Sequence, residues 1–255
     1  MVMKTPRLAN RRDPAVPRER RVYGIHVVTE WLRAHPAEVI AVHYESRAAN
    51  RLGVLIQLAS AAGITLRASN EQQLTSLAGT GRHQGVVAIV KPFPYVDLDL
   101  VIVRRPRLLV VADQIQDPHN LGALIRTAEA VGAGAVIVPK DGAVSITATV
   151  ELAAAGAAAL EPVCRVTNVA RTLTKLKQSG YWSVALIPTG GLDLYQADLP
   201  QPLAVVVGGE AGMRPLVGRR SDVAVSIPMR GKIESLNASV AAAVMLYELL
   251  RRWPK

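Results

Sequence analysis

Short apolar runs separated by helix-length segments recur along the chain after Arg107. Strands this short and this apolar are buried on both faces, which is typical of a mostly parallel sheet with helices on both faces. The pattern therefore predicts an α/β domain over residues 107–255. The predicted strands cover residues 108–112, 135–138, 182–187, 203–207 and 223–227, and the predicted helices cover 121–131, 148–158, 168–178 and 237–252.

A smaller α/β unit is predicted over residues 22–91, where three short strands alternate with three helices. Such alternation favours a small mixed sheet with covering helices. Pro92, Phe93 and Pro94 interrupt the pattern, and residues 92–106 are predicted to form an interdomain linker. In residues 1–21 basic side chains outnumber acidic ones seven to two, which predicts a disordered basic arm. Such an arm either contacts RNA or is a solvated tail.

The formal net charge is +10, from 30 basic and 20 acidic side chains. A charge this large attracts phosphate polyanions and so favours a nucleic-acid partner, although it could also serve solubility alone. Within the smaller unit, four arginines are candidate RNA contacts. They are Arg47, Arg51, Arg67 and Arg82.

Cys164 is the only cysteine, so an intramolecular disulfide and a cysteine-based metal site are excluded. The five histidines lack the spacing of a zinc site, and we expect no metal. No apolar run approaches the roughly 18 residues of a membrane-spanning helix, and the basic N-terminus lacks an apolar signal core. We expect a cytoplasmic protein without a membrane partner, while the arginine-rich start would also fit an organelle transit peptide.

Three polar segments follow predicted strands, where ligands of open α/β sheets bind. The first spans residues 113–129 and leads from a strand into a helix. Asn120 is predicted to cap that helix. Arg126 lies in an otherwise apolar stretch and needs an anion or a carboxylate. A salt bridge to Glu129, three residues further on, would satisfy Arg126 without any functional role.

The second segment spans residues 207–213 and contains Gly208, Gly209 and Gly212. A ligand can approach a glycine backbone closely, although the spacing is not that of a dinucleotide-binding fingerprint. The third segment spans 226–241 and places Ser235 and Asn237 just before the last helix. From the residue pattern alone, helix capping and catalysis explain these two side chains equally well.

These three segments, in this order and spacing, resemble the signature motifs of the SpoU/TrmH family of RNA ribose 2′-O-methyltransferases. The resemblance runs from about residue 108 to 252 and rests most on DPHNLGALIRTAEA (117–130) and IPMRGKIESLNASVA (227–241). The unit at 22–91, with VYG near its start and GVVA near its end, is similar to the family's ribosomal-protein-like substrate-binding domain. Together the two units are most similar to the branch that methylates a guanosine ribose in large-subunit (23S) ribosomal RNA.

The resemblance implies that S-adenosylmethionine is the cofactor and that its methyl group goes to a ribose 2′-OH of RNA. It implies a deep trefoil knot at the C-terminal end of the larger domain. It also implies a homodimer whose active site is completed near the subunit interface. By motif position, backbone groups of Gly208, Ile227 and Leu236 would hold the adenosine part of the cofactor.

Motif positions also imply catalytic roles. Arg126 matches the arginine proposed in the family to activate the 2′-OH. A guanidinium keeps its proton above about pH 12, so stabilising the developing alkoxide or gripping a phosphate is the role we favour. Asn120 would orient Arg126 or the RNA, and Glu210 would fix its loop or pair with a cation. Ser235 and Asn237 would shape the knot and contact the substrate.

Two stretches depart from the family pattern. The chain between Glu210 and Gly212 is one residue shorter than is usual for the second motif, which bears on the geometry of that loop. The family often has a basic residue and a small hydroxyl or thiol residue just before the Gly-Ala pair that here is Gly156-Ala157. This chain instead has the largely apolar stretch 151–155, which begins with Glu151 and bears on one contact to RNA or cofactor.

Several alternatives remain open. A tRNA substrate, or another ribosomal RNA site, would keep the chemistry, although the smallest tRNA-type enzymes lack the N-terminal unit. A non-catalytic RNA-binding or ribosome-assembly protein would explain the two departures, but the retention of Arg126, Ser235 and Asn237 weighs against it. A nicotinamide dehydrogenase would fit the α/β pattern, yet the glycine fingerprint and a proton-shuttling site are missing.

Overall fold

The computed structural model describes residues 19–253 and forms two α/β units, each with its own sheet and core. The first unit begins at Arg20. Its elements are β1 (Arg20–Tyr23), α1 (Ile25–Ala34), β2 (Val39–Glu45), α2 (Gly53–Ala61), β3 (Thr65–Ser69), α3 (Glu71–Ala78) and β4 (Val86–Val90).

The sheet of the first unit has the strand order β1-β4-β2-β3 and is mixed, as predicted. Strand β4 pairs antiparallel with β1 and β2, while β2 and β3 run parallel. The prediction of a disordered arm is wrong for Arg20 and Arg21. These two residues belong to strand β1 and pair with Val90 and Ile89. A four-residue strand with two arginines has no apolar alternation to reveal it. The rest of the predicted arm, residues 1–18, lies outside the described residues.

The second unit holds the remaining elements. They are α4 (Leu98–Arg104), β5 (Leu108–Asp113), α5 (Pro118–Ala130), β6 (Val136–Pro139), α6 (Ala148–Ala153), β7 (Val163–Val166), α7 (Val169–Gln178), β8 (Trp182–Leu186), β9 (Leu192–Asp193), β10 (Leu203–Gly208), α8 (Pro215–Arg220), β11 (Val223–Ser226) and α9 (Ala238–Arg252). The five predicted strands are present, while the short strands β7 and β9 were not predicted.

The second sheet has the order β7-β6-β5-β10-β8-β11-β9, and each neighbouring pair runs parallel. Alternate residues of a strand face opposite sides. Leu108 and Val110 therefore enter a core with α5, α6 and α9, whereas Leu109 and Val111 enter a core with α4, α7 and α8. The predicted parallel sheet with helices on both faces is confirmed.

Part of the predicted linker belongs to the second unit. Helix α4 packs Leu98 and Val101 into the core on the α7 side of the sheet. Just before it, Val96 bridges to Cys164 of β7, whose side chain is fully buried. The chain therefore joins the second unit from about Val96 onward. A seven-residue helix between two prolines gives too short a period to be recognised in the sequence.

Two helix boundaries differ from the prediction for local chemical reasons. Helix α5 begins at Pro118, because Asp117 caps it by accepting a 2.8 Å hydrogen bond from the His119 backbone, and proline suits the first helical position. Asn120 is thus a buried residue inside the helix, which corrects the predicted cap. Helix α6 ends at Ala153, because Ala155 and Gly156 both have positive φ angles.

Within residues 19–253, no helix is long and apolar enough to cross a membrane. The same part of the chain contains no group of three or more His, Cys, Asp or Glu side chains placed to hold a metal ion.

Candidate cofactor pocket and active site

The carboxyl ends of β8, β10 and β11 meet at one edge of the second sheet. Because these strands are parallel neighbours, the loops that follow them lie side by side. They enclose a cavity of about 350 Å³, within the range of small-molecule sites. The loop that follows β11 is the segment that leads into α9. The lining residues are Leu186, Ile187, Pro188, Val207, Gly208, Gly209, Glu210, Gly212, Met213, Ile227, Met229, Ser235, Leu236, Asn237, Ala238 and Ala241.

The cavity brings together most of the residues singled out in the sequence. The three predicted cofactor-binding residues, Gly208, Ile227 and Leu236, all line it. Ser235 and Asn237 lie beside them at the start of α9 and are exposed. The walls are mainly aliphatic with few polar groups, as is common where a ligand is held by shape and backbone contacts.

Two glycines allow the loop after β10 to fold tightly. A Cβ atom on Gly208 would lie 2.5 Å from the Met213 nitrogen, and one on Gly209 would lie 2.2 Å from the Gln114 carbonyl oxygen. Real Cβ atoms do not approach backbone this closely, so only glycine fits at both positions. The Gly212 nitrogen donates a 2.9 Å hydrogen bond to the Gly209 oxygen and closes the loop as a turn.

The short loop is anchored to the neighbouring strand by a buried carboxylate. Asp113, at the end of β5, is fully buried. The Arg214 backbone nitrogen donates to its Oδ2 at 2.8 Å, and the Arg214 guanidinium donates to its Oδ1, from Nε at 2.9 Å. The Gly209 nitrogen donates to the Asp113 carbonyl oxygen at 2.9 Å. Both ends of the loop are thus held by β5, so a loop one residue shorter than the family pattern still forms a defined wall.

Glu210 lies at the exposed tip of this loop and lines the cavity. No hydrogen bond or ion pair of its side chain is formed within the described part of the chain. The geometry therefore leaves its carboxylate available to a ligand. Two roles were predicted for Glu210, fixing the loop or pairing with a cation. Because Asp113 already fixes the loop, the geometry favours the second role.

A polar network joins the first and third motifs. The Asn237 side chain caps α9 by accepting hydrogen bonds from the Ser239 and Val240 nitrogens, and its Nδ2 donates to Asn120 Oδ1 at 3.0 Å. The Ser239 hydroxyl lies 2.7 Å from Asn237 Oδ1 and 3.4 Å from Asn120 Oδ1. Asn120 is only 6% exposed. Capping and contact with the site are therefore not alternatives, because Asn237 does both.

Arg126 does not line the cavity of its own chain. It is exposed on α5, and within residues 19–253 it makes no hydrogen bond or ion pair. The predicted alternative, a salt bridge to Glu129, is not formed. Its guanidinium is therefore free to meet an anion from outside this chain.

Sequence reasoning missed three residues of this region. Asp113, at the start of the first segment, and Arg214, directly after the second, form the loop anchor, and Ser239 completes the network at the start of α9. A charged residue directly at the end of an apolar strand, as at Asp113, was the available signal. Its partner lies 101 residues away in the chain, and that pairing is set by the parallel neighbours β5 and β10.

Comparisons with known proteins agree with this geometry. The family model described as the SpoU rRNA Methylase family matches residues 107–247, and one described as RNA 2′-O ribose methyltransferase substrate binding matches residues 21–96. The chain belongs to the SpoU rRNA methylase family. The resemblance seen in the sequence is thereby confirmed.

The chain is also similar to individual members of this family. The chain is 43% identical over 90% of its length to a protein of Ralstonia nicotianae named 23S rRNA (guanosine-2′-O-)-methyltransferase RlmB, covering 94% of that protein. A protein of the same name from Pseudomonas syringae is 43% identical over 91% of this chain and 95% of its own. The structure of the SpoU methyltransferase AviRb from Streptomyces viridochromogenes, in complex with AdoMet, is 26% identical with a TM-score of 0.79, covering 92% of this chain and 90% of that one.

Proposed function

We propose that this protein transfers a methyl group from S-adenosylmethionine to the ribose 2′-OH of a guanosine in 23S ribosomal RNA. The observation that carries the proposal is the cavity in which Gly208, Ile227 and Leu236 converge beside Ser235 and Asn237. The relatives of 43% identity that span nine-tenths of the chain support the choice of substrate.

The residues of the cavity fit S-adenosylmethionine. Its volume of about 350 Å³ suits a nucleoside-sized ligand. The aliphatic side chains of Ile227 and Leu236 offer apolar surface to an adenine ring, and the glycine backbone at Gly208 permits close approach. Glu210 presents an unpaired carboxylate to a positively charged cofactor. When bound, the cofactor supplies an electrophilic methyl group on a sulfonium.

The protein then has to position the ribose and stabilise the 2′ oxygen as it loses its proton. Holding two reactants in line supplies a large part of a rate enhancement. We assign that positioning to Ser235 and Asn237, which line the cavity, and to Asn120, which accepts a hydrogen bond from Asn237. Arg126 stabilises the developing alkoxide or grips the neighbouring phosphate, both of which suit a permanently charged guanidinium.

The same proposal includes a homodimer. Arg126 lies outside the cavity of its own chain, and helix α9 exposes Val240, Tyr247 and Leu250 by 49%, 52% and 41%. A second copy covering this apolar face would bring the two sites together. We also propose that the three loops around the cavity are threaded as the trefoil knot that the family resemblance implies, and that no metal takes part.

The two units divide the work: the first unit, which begins at Arg20, is the substrate-binding domain, and the second unit, which the chain joins from about Val96, is the methyltransferase domain. A tRNA substrate is the second candidate. The structure of the A. aeolicus TrmH/SpoU tRNA modifying enzyme covers only 60% of this chain with a TM-score of 0.52, which favours the ribosomal substrate. An enzyme of bacterial ribosomal RNA would act in the cytoplasm.

The test is transfer of labelled methyl from S-adenosylmethionine to total RNA that lacks the modification, followed by mapping of the 2′-O-methyl sites. We expect one labelled guanosine in 23S RNA. Label in tRNA instead would move the proposal to its second candidate. Absence of both transfer and cofactor binding would refute it and favour a non-catalytic RNA-binding role.

A further inference from the structure

A buried carboxylate of the methyltransferase unit is bound by two side chains of the substrate-binding unit. Glu151, on α6, is fully buried. Its Oε2 accepts a 2.8 Å hydrogen bond from Arg20 Nη1, and its Oε1 accepts a 2.8 Å hydrogen bond from Trp31 Nε1. Both donors lie more than a hundred residues earlier in the chain, on β1 and α1. Glu151 therefore uses both oxygens across the seam between the units.

The two partners are themselves fixed by packing. Trp31 is 1% exposed, and the Arg20 side chain is 14% exposed. The Arg20 guanidinium carbon lies 5.4 Å from the centre of the Trp31 ring and 5.3 Å from that of Phe93, within range of cation–π attraction. Its Nε also donates to the Lys91 carbonyl oxygen at 3.3 Å. Arg20 thus joins both units to the segment between them.

The two units are closely packed around Glu151. A Cβ atom on Gly156 would lie 2.9 Å from the Glu30 Cγ, and one on Gly24 would lie 3.2 Å from a Leu152 methyl group. A hydrogen bond of 2.9 Å joins His35 Nε2 to the Ala159 carbonyl oxygen. The two units therefore touch through backbone and side chains on both sides of Glu151.

The energetics favour a role in geometry over one in stability. Burial raises the pKa of the Glu151 carboxyl, while the charge of Arg20 and the two hydrogen bonds act in the opposite direction. A buried ion pair contributes little net stability, because the cost of removing both charges from water offsets their attraction. Removing one of the two side chains, however, leaves an uncompensated buried charge. Only the docked arrangement gives the buried Glu151 carboxylate both of its hydrogen bonds, from Arg20 Nη1 and Trp31 Nε1, although Arg20 Nη2 is buried without a partner among the described residues. Other orientations of the two units would leave the carboxylate without these donors and are therefore disfavoured.

We propose that Glu151, Arg20 and Trp31 form an interdomain latch, a set of positioning residues that fixes the substrate-binding unit on the methyltransferase unit. The latch sets which ribose of a bound RNA reaches the transferred methyl group. This inference rests on the proposed function. It also places Glu151, which departs from the family pattern, in a defined role.

Two mild variants and one severe variant test the latch. Trp31→Phe keeps a smaller aromatic side chain and removes the Nε1 donor. Glu151→Gln keeps the shape and removes the charge, and Glu151→Lys places a cation against Arg20. Asp99→Asn is the matched control, because Asp99 pairs with Lys175 on the surface of the second unit, away from the seam. Hydrogen exchange of α1 and α6 amides reports whether the seam opens, without any need for activity.

We expect S-adenosylmethionine affinity to stay within twofold of the unaltered protein in all four variants, because the latch lies outside the cavity. Amide exchange at the seam should rise at least tenfold in the latch variants and not in Asp99→Asn. Their kcat/KM for the target guanosine should fall at least tenfold, chiefly through KM, with methylation spreading to neighbouring riboses.

Unchanged exchange at the seam in Glu151→Gln and Trp31→Phe would overturn the latch. So would an opened seam with unchanged kcat/KM and site selection, because the docking would then not position the RNA. If Glu151→Lys does not fold, the two mild variants decide the matter. If the unaltered protein transfers no methyl group, the proposed function fails, while hydrogen exchange still decides whether the three residues hold the units together.

Discussion

The side-chain amide of Asn237 donates a 3.0 Å hydrogen bond to Asn120 Oδ1 while its oxygen caps helix α9. One side chain therefore links the start of the last helix to the interior of α5. Because the two helices carry the third and first motifs, this contact sets the position of each relative to the cavity.

The two tasks of Asn237 can be separated by mutation. Asn237→Ser keeps a good helix cap but is too short to reach Asn120, whereas Asn237→Ala loses both contacts. We expect Asn237→Ala to lower the free energy of unfolding by about 1 kcal/mol and Asn237→Ser by much less. Both should lower kcat for methyl transfer at least tenfold. Urea unfolding and single-turnover methylation measure the two effects, and full activity of Asn237→Ser would rule out a role for the link.

Arg126 should affect the reaction without affecting the fold. It is exposed and makes no hydrogen bond or ion pair within the described residues, so Arg126→Ala should leave the melting temperature and S-adenosylmethionine affinity unchanged. Methyl transfer should fall at least a hundredfold, as for other groups that stabilise developing charge. Arg171→Ala, an exposed arginine on α7, is the control. Equal activity of the two variants would remove Arg126 from the site.

The cavity wall can be tested with a pair of glycines. A Cβ atom on Gly209 would meet the Gln114 oxygen at 2.2 Å, whereas one on Gly231 would meet nothing within 4 Å. We expect Gly209→Ala to weaken S-adenosylmethionine binding at least tenfold and Gly231→Ala to leave it nearly unchanged. Titration calorimetry measures both affinities. If the Gly209→Ala protein binds normally, the loop after β10 does not form the cofactor wall.

Glu161 should make stability depend on pH. Burial and the nearby Glu129 raise the pKa of its carboxyl to about 8, and its Oε1 has no hydrogen-bond partner among residues 19–253. The unfolded chain ionises near the ordinary value of 4.5, so it releases its proton first as the pH rises. The free energy of unfolding should therefore fall between pH 4.5 and pH 8 and level off above, since each pKa unit corresponds to about 1.4 kcal/mol.

The neutral variant Glu161→Gln provides the check. It should be more stable than the unaltered protein at pH 8 by a few kcal/mol and nearly equal to it at pH 4. Urea unfolding at several pH values gives the comparison. A constant difference across that range would show that the carboxyl of Glu161 is not responsible.

RNA binding should weaken steeply with salt. The net charge of +10 predicts that phosphate neutralisation and counterion release dominate affinity. Between about 50 and 200 mM salt we expect a loss of at least tenfold, measured by fluorescence anisotropy with a 23S RNA fragment. Arg47 should contribute little, because its guanidinium is already bound to Glu45 and Glu71. A salt-independent affinity would contradict an electrostatic footprint.

Local sequence patterns predicted most of the strands and helices. The features that were missed depend on contacts between residues that are far apart in the chain. The apolar strands around Val110 and Val205 were recognisable because both faces are buried. By contrast, Arg20 looked like part of a solvated arm, since its partner Glu151 lies 131 residues away. Asn120 was misplaced as a cap because Asp117 competes for that role three residues earlier. The cofactor-site residues were found because they lie at recognisable motif positions. Ser239 and Arg214 were missed because their roles depend on contacts with Asn120 and Asp113, which are distant in the chain.

The burial of Cys164 has a practical consequence for watching the two units move. Burial, with Asp97 and Glu161 nearby, raises the pKa of its thiol to about 12, so the thiolate that reacts with maleimides is scarce. The chain has no other cysteine. Fluorophores could therefore be attached to one cysteine introduced on each unit without first removing the native thiol. Energy transfer between the two dyes would then follow the seam in single molecules during turnover.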